Sequence, residues 1–176
     1  MNGDRNFDKE KRMNNEDSFS YQAEVEWAGE RRGNLRFPNL PTLEVAAPPE
    51  FQGPGGGWTP ECLYVGSVAS CFMLTFLALA ERSKLDLTSL AVSAKGKLER
   101  VEGIGFQITE IVLKPKLVIR SAGDLERAGR IIKKAEKSCL ISNSIKTAVR
   151  LEPEIYHKQI PTSPCPPVTA GTTPAA

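Results

Sequence analysis

The stretch GPGGGWTPECLYVGSVASCFMLTFLALAERSKL (residues 53–85) governs the reading of the whole chain. Its glycines give way, at Trp58-Thr59-Pro60-Glu61, to a run with almost no polar side. Thr59 has the side chain of a helix N-cap, Pro60 suits the first helical position, and Glu61 puts negative charge in the first turn. Between residues 63 and 80 only the hydroxyls of Tyr64, Ser67, Ser70 and Thr75 interrupt the apolar and small residues. A helix of ~24 residues here makes a rod of ~36 Å. A rod apolar on every side must be buried or lie in a membrane. Its serines and glycine dilute it, and Glu81, Arg82 and Lys84 flank one end only, so burial is the expectation. Cys71 sits near its middle.

The 176 residues suit one domain with a sizeable core. Hydrophobic residues at 40% and charged residues at 25% match a soluble globular protein. A net charge of +2 gives no field for nucleic acid. The first residues carry mixed charge and no apolar signal-peptide core, so a cytoplasmic location is expected. The cysteines, Cys62, Cys71, Cys139 and Cys165, are widely spaced, and His157 is the lone histidine. No zinc ligand set and no C-x-x-C pair can be drawn from them. In a reducing compartment a paired cysteine is more often redox-active than structural.

Residues 1–16 are polar and charged and are expected to be disordered, as is the Pro/Thr-rich tail at 158–176, which leaves Cys165 outside the fold. Between them, residues 17–157 form the domain. Phe19, Tyr21, Ala23, Val25 and Trp27 alternate with polar neighbours, the period of a half-buried strand. A turn at 28–33 leads to a return strand at 34–37, then to a proline-rich loop. After the long helix, residues 90–98 and 106–120 read as paired strands. The apolar phase slips between Ile108 and Ile111, which predicts a bulge. Asp124 opens a second helix with Leu125, Ala128, Ile132, Ala135 and Cys139 along one face. Arg127, Arg130, Lys133, Lys134 and Lys137 make the solvated face opposite. Residues 147–156 form a last strand, with Pro153 suited to an edge. The order β-β-α-β-β-α-β is α+β, an antiparallel sheet with a long buried helix and an amphipathic one.

Alone, Cys71 and Cys139 each read as a small buried hydrophobe. The glycines at 53–57 lack the Lys and Ser/Thr of a phosphate loop and read as a connector. His157 has no cysteine or second histidine near it for a triad or a metal site. Taken together, Thr59-Pro60-Glu61, Cys71 ten residues on, and Lys137-Ser138-Cys139-Leu140-Ile141-Ser142-Asn143 resemble the OsmC/Ohr family of osmotically inducible and organic hydroperoxide resistance proteins. The resemblance spans roughly residues 18–157, element order included. Leu140 departs from it, standing where a proline usually follows the second cysteine.

The resemblance implies an OsmC-like fold in a compact, intertwined homodimer, with the long helices central and the active sites at the interface. It implies a thiol-dependent peroxidase acting on organic hydroperoxides, with Cys71 peroxidatic and Cys139 resolving. The catalytic arginine lies in the turn after the first strand, where Arg31 and Arg32 both stand; aligning residues 29–33 favours Arg31. The glutamate of the site matches Glu61. No metal, flavin or haem is needed, an external dithiol is the reductant, and neither nucleic acid nor membrane is a partner.

Elementary chemistry fits these roles. A thiolate attacks the O–O bond, and an ordinary thiol has a pKa of ~8.5 that burial raises further. Cys71 lies about three turns into its helix, beyond the reach of the N-terminal dipole. A guanidinium is the cation that stays charged when buried, and it in turn needs a carboxylate. Glu61 and Cys71 are ~15 Å apart along one helix, so one arginine does not bridge both. Glu61 is therefore expected to serve the neighbouring subunit's site. Two other readings stay open: a protein of the same fold that binds an apolar molecule with inert thiols, and a purely structural disulfide.

Overall fold

The structure is a computed structural model and describes residues 18–157. The segments expected to be disordered, 1–16 and 158–176, lie outside the described residues, and Cys165 with them. The chain divides into two compact units after Leu63.

The first unit is a three-stranded antiparallel meander of β1 (Glu24–Trp27), β2 (Arg32–Arg36) and β3 (Leu43–Ala46). β1 is shorter than the alternation over 19–27 suggested, and its apolar side is bare: Val25 is 61% exposed and Trp27 80%. β3 arises within the stretch read as a loop, where Pro41 and Pro48 flank the strand rather than interrupt it. The glycine-rich segment that follows is a fitted piece of structure. Trp58 exchanges backbone hydrogen bonds with β3, donating to Glu44 O at 2.9 Å and accepting from Ala46 N at 3.0 Å. A Cβ on Gly53 would stand 1.9 Å from the Ala47 carbonyl oxygen, so glycine is required there by close backbone approach.

Helix α1 (Pro60–Arg82) starts at the end of this unit and continues through the second. Its start is as the sequence predicts: the Cys62 amide donates to Thr59 Oγ1 at 3.2 Å. Strands β4 (Leu87–Val101) and β5 (Gly105–Ile119) then form a long antiparallel hairpin. Its register slips between Lys97↔Glu110 and Leu98↔Ile108, which leaves Thr109 as the extra residue of the expected bulge. Helix α2 (Leu125–Lys137), one-turn helix α3 (Leu140–Asn143), and strands β6 (Ala148–Leu151) and β7 (Glu154–His157) complete the unit.

The last strand of the sequence reading is thus two short ones, separated at Pro153, and both run parallel to β5. The expected antiparallel sheet thus carries two parallel pairings as well, within the α+β architecture expected. The connection from β5 carries α2, and a helical crossover returns the chain in the same direction.

The core of the second unit is built from three stripes. Val68, Phe72, Phe76 and Ala80 recur every fourth residue on α1. Ile111, Leu113, Leu117 and Ile119 line one face of β5, and Ala128, Ile131, Ile132 and Ala135 one face of α2. Each large side chain fully buried here contributes roughly 1.5–3 kcal/mol. Gly96 of β4 lets α1 come close, since a Cβ there would meet Val65 Cγ2 at 2.6 Å.

The expectation that α1 is covered all round is not met within one chain. Leu74 is 66% exposed, and Gly66, Ser70, Leu77 and Ala78 are exposed too. α1 is long and apolar enough to cross a membrane by length and composition, yet its buried stripe packs in this core.

Candidate active site

Cys71 and Cys139, 68 residues apart in sequence, are brought together in the second unit. Cys71 is half-buried on α1, next to the core residue Phe72. Cys139 is fully buried, but it is not the last member of the α2 stripe. α2 ends at Lys137, and Cys139 takes an extended conformation (φ −68°, ψ 112°) as the residue capping α3. That bend turns α3 so that the Ile141 amide donates to Cys71 Sγ at 3.5 Å. Both cysteines are free thiols.

The surroundings of Cys139 act on its thiol. Burial pushes the Cys139 thiol up, the largest effect on it. The hydroxyl and amide of Ser142 pull it partly back, and the neighbouring Cys71 side chain, as acceptor of its S–H, pushes it up again. Among the described residues the Ser142 hydroxyl makes no aligned hydrogen bond, so it acts as a nearby dipole. Cys139 therefore keeps its proton at neutral pH and offers it to the Cys71 sulfur.

Arg31 and Glu61 both belong to the first unit. They share a cavity of about 550 Å³ whose other walls include Val25, Trp27, Val45, Pro48 and Phe51. The turn carrying Arg31 is held by the Trp27 indole, which donates to Glu30 O at 2.9 Å, and by the Ala47 amide, which donates to Arg31 O at 3.1 Å. Arg31 Nη1 donates to the Phe51 carbonyl oxygen. Among the described residues no carboxylate is ion-paired with Arg31, whereas Arg32 is committed to Glu44 Oε1 at 2.7 Å. Glu61, in the first turn of α1, has Oε2 buried with no hydrogen-bond partner among the described residues. The cavity thus holds a guanidinium on a neutral acceptor and a carboxylate oxygen with none.

Other residues named from the sequence stand apart. Cys62 is exposed and lines a different cavity with Trp58 and Glu44. His157 ends β7, opposite Ile119 of β5. Among the described residues no three or more of His, Cys, Asp and Glu are grouped to hold a metal ion. Three contributors carried no assigned role in the sequence reading: the Ile141 amide, the Ser142 hydroxyl and the Phe51 carbonyl. Two are backbone groups, which residue type does not advertise. Ser142 stood within the Cys139 motif, and that was its only signal.

Comparison with known proteins places this geometry. The sequence pattern of the OsmC-like protein family matches residues 53–154. The uncharacterized protein YmaD of Bacillus subtilis (strain 168) is 32% identical over 139 residues, 76% of this chain and 91% of its own. Among solved structures, an OsmC-like protein of unknown function from Vibrio cholerae superposes with a TM-score of 0.72 at 23% identity, over 78% of this chain and 100% of that one. An organic hydroperoxide resistance protein OsmC from Legionella pneumophila does so with a TM-score of 0.64 at 24% identity, over 78% and 97%. At such identities the solved structures show the shared fold, and the sequence matches show the lineage: the chain belongs to the family of OsmC-like proteins.

Proposed function

We propose that this chain is a thiol-dependent peroxidase that reduces organic hydroperoxides, lipid hydroperoxides among them, in cytoplasmic defence against oxidative stress. The observation that carries the reading is the contact of a half-buried Cys71 with a buried, protonated Cys139. The Cys71 thiolate attacks the terminal peroxide oxygen; the O–O bond breaks, Cys71 becomes a sulfenic acid, and the alkoxide leaves as alcohol after taking a proton. Cys139 then displaces the hydroxyl to give a Cys71–Cys139 disulfide and water. An external dithiol restores both thiols by exchange and is itself oxidised. The name of the Legionella pneumophila neighbour, an organic hydroperoxide resistance protein, agrees with this chemistry.

Arg31 serves as the cation that favours the Cys71 thiolate and the charge developing on the leaving oxygen. Glu61 holds that guanidinium; in support, Glu61 Oε2 has no hydrogen-bond partner among the described residues and Arg31, in the same cavity, has only a neutral carbonyl acceptor. The working unit is a homodimer in which Arg31 and Glu61 of one protomer complete the cysteine pair of its partner. The bare outer side of α1 and the exposed Val25 and Trp27 support that assembly.

Arg31→Met is expected to lower kcat/KM for cumene hydroperoxide about 10²–10³-fold, the scale of losing a donor to a developing oxyanion. Arg32→Met, which removes a partly exposed ion pair with Glu44, should cost less than about tenfold. Equal losses in the two variants would remove the special role of Arg31. The apolar cavity walls favour an organic substituent, so hydrogen peroxide should be the poorer substrate. Comparable turnover of the two would refute that preference. Thiols that survive hydroperoxide unchanged would point instead to a protein binding an apolar molecule.

A further inference from the structure

The second half of this cycle sets a demand that the cysteines alone do not meet. Cys139 is fully buried and held protonated, yet it must surrender its proton to attack the Cys71 sulfenic acid. Among the described residues the ionisable group acting on it is Cys71. Lys137, two residues back on α2, is exposed, and what it presents to α3 is its backbone carbonyl, which accepts from Asn143 Nδ2 at 3.0 Å. On α3 itself the side chain beside Cys139 is Ser142.

Cys139 is the capping residue of α3 and Ser142 is the third residue of that turn. Ser142 Oγ is buried and has no hydrogen-bond partner among the described residues, although it stands near enough to the Cys139 sulfur to favour its thiolate. Buried hydroxyls are nearly always paired, so an orphan at a reacting atom calls for an explanation. A thiol is a weak acceptor and a thiolate a strong one.

We propose that Ser142 is the group that readies Cys139 for the resolving step, its hydroxyl donating to the Cys139 sulfur as the proton leaves. The inference rests on the peroxidase reading and extends it to the second half-reaction. The Cys139 sulfur attacks the Cys71 sulfur, the S–S bond forms as the S–O bond breaks, and the departing hydroxide combines with the released proton as water. One turn of helix then addresses both sulfurs: the Ile141 amide is directed at Cys71, 3.5 Å away, and Ser142 stands at Cys139.

Single-turnover rapid-quench experiments on the full chain, with cumene hydroperoxide and intact-mass detection, separate sulfenic acid formation from disulfide formation. Ser142→Ala should form the sulfenic acid at the wild-type rate, which also reports a folded site. It should then resolve it about tenfold more slowly or worse, with the pH dependence of that step moved upward by roughly one unit. Sulfinic acid should accumulate when hydroperoxide is in excess. Ser142→Thr keeps a hydroxyl and should restore most of the rate. Wild-type resolution in Ser142→Ala with an unmoved pH profile would overturn the inference, as would a Ser142→Thr protein as slow as Ser142→Ala. A wild-type protein that never forms the sulfenic acid would overturn the peroxidase reading and this inference together, a pattern distinct from either of those.

Discussion

Replacing Cys71 by serine is expected to reduce hydroperoxide turnover to the uncatalysed background, a loss of roughly a thousandfold or more. A serine hydroxyl in the same place neither ionises near neutral pH nor attacks a peroxide oxygen with the ease of a thiolate. Cys139→Ser should behave differently. Its first turnover should proceed at close to the wild-type rate, because Cys71 is the sulfur that receives the thiol proton and the Ile141 amide. The cycle should then stop at the sulfenic acid, which a dimedone-type reagent would trap on Cys71 alone. If Cys139→Ser abolished the first turnover and Cys71→Ser did not, the order of the two cysteines would be reversed.

The second large effect concerns the two sides of α1. Phe72 is fully buried among the stripes of the second unit, and Phe72→Ala should destabilise the fold by about 3–5 kcal/mol through lost burial and the cavity left behind. Two residues on, Leu74 is largely exposed in the single chain, so Leu74→Glu breaks no contact in that core. In a homodimer built on this side of α1 it would place a charge in the apolar interface. Dimer affinity should fall about thirtyfold to a thousandfold, the range for a central interface residue. Sedimentation at a series of concentrations distinguishes the two outcomes. A Leu74→Glu protein that dimerises like the wild type would remove α1 from the interface.

What could be read from the sequence depended on whether the signal was local. The start of α1 was legible because Thr59, Pro60 and Glu61 each favour a helix N-terminus for an independent reason. Its buried side was not, since a segment apolar on every face carries no phase. The bulge at Thr109 was legible as a slip in alternation along β5. β3 was not, being four residues long between prolines. The parallel pairing of β6 and β7 with β5 follows from a crossover, and alternation within a strand does not report its direction.

The site divides in the same way. Cys71 and Cys139 were legible as a spaced pair through a family resemblance, although Cys139 was assigned to the wrong element. The rhythm of α2 continues through Ser138, and no Gly or Pro marks where the helix stops. Choosing Arg31 over Arg32 from the sequence rested on turn alignment alone. In the structure Glu44, twelve residues from Arg32, engages that neighbour, whereas among the described residues no carboxylate is ion-paired with Arg31. The burial of Ser142 Oγ depends on a bend that no local pattern announces.

The most direct test of the central claim treats the reduced protein with one equivalent of cumene hydroperoxide and maps its disulfides by mass spectrometry under non-reducing conditions. Rapid, stoichiometric formation of a Cys71–Cys139 link is expected, reversed by a dithiol and absent in Cys71→Ser. Thiols that remain reduced while the hydroperoxide persists, or a link joining Cys71 to any other cysteine, would contradict it.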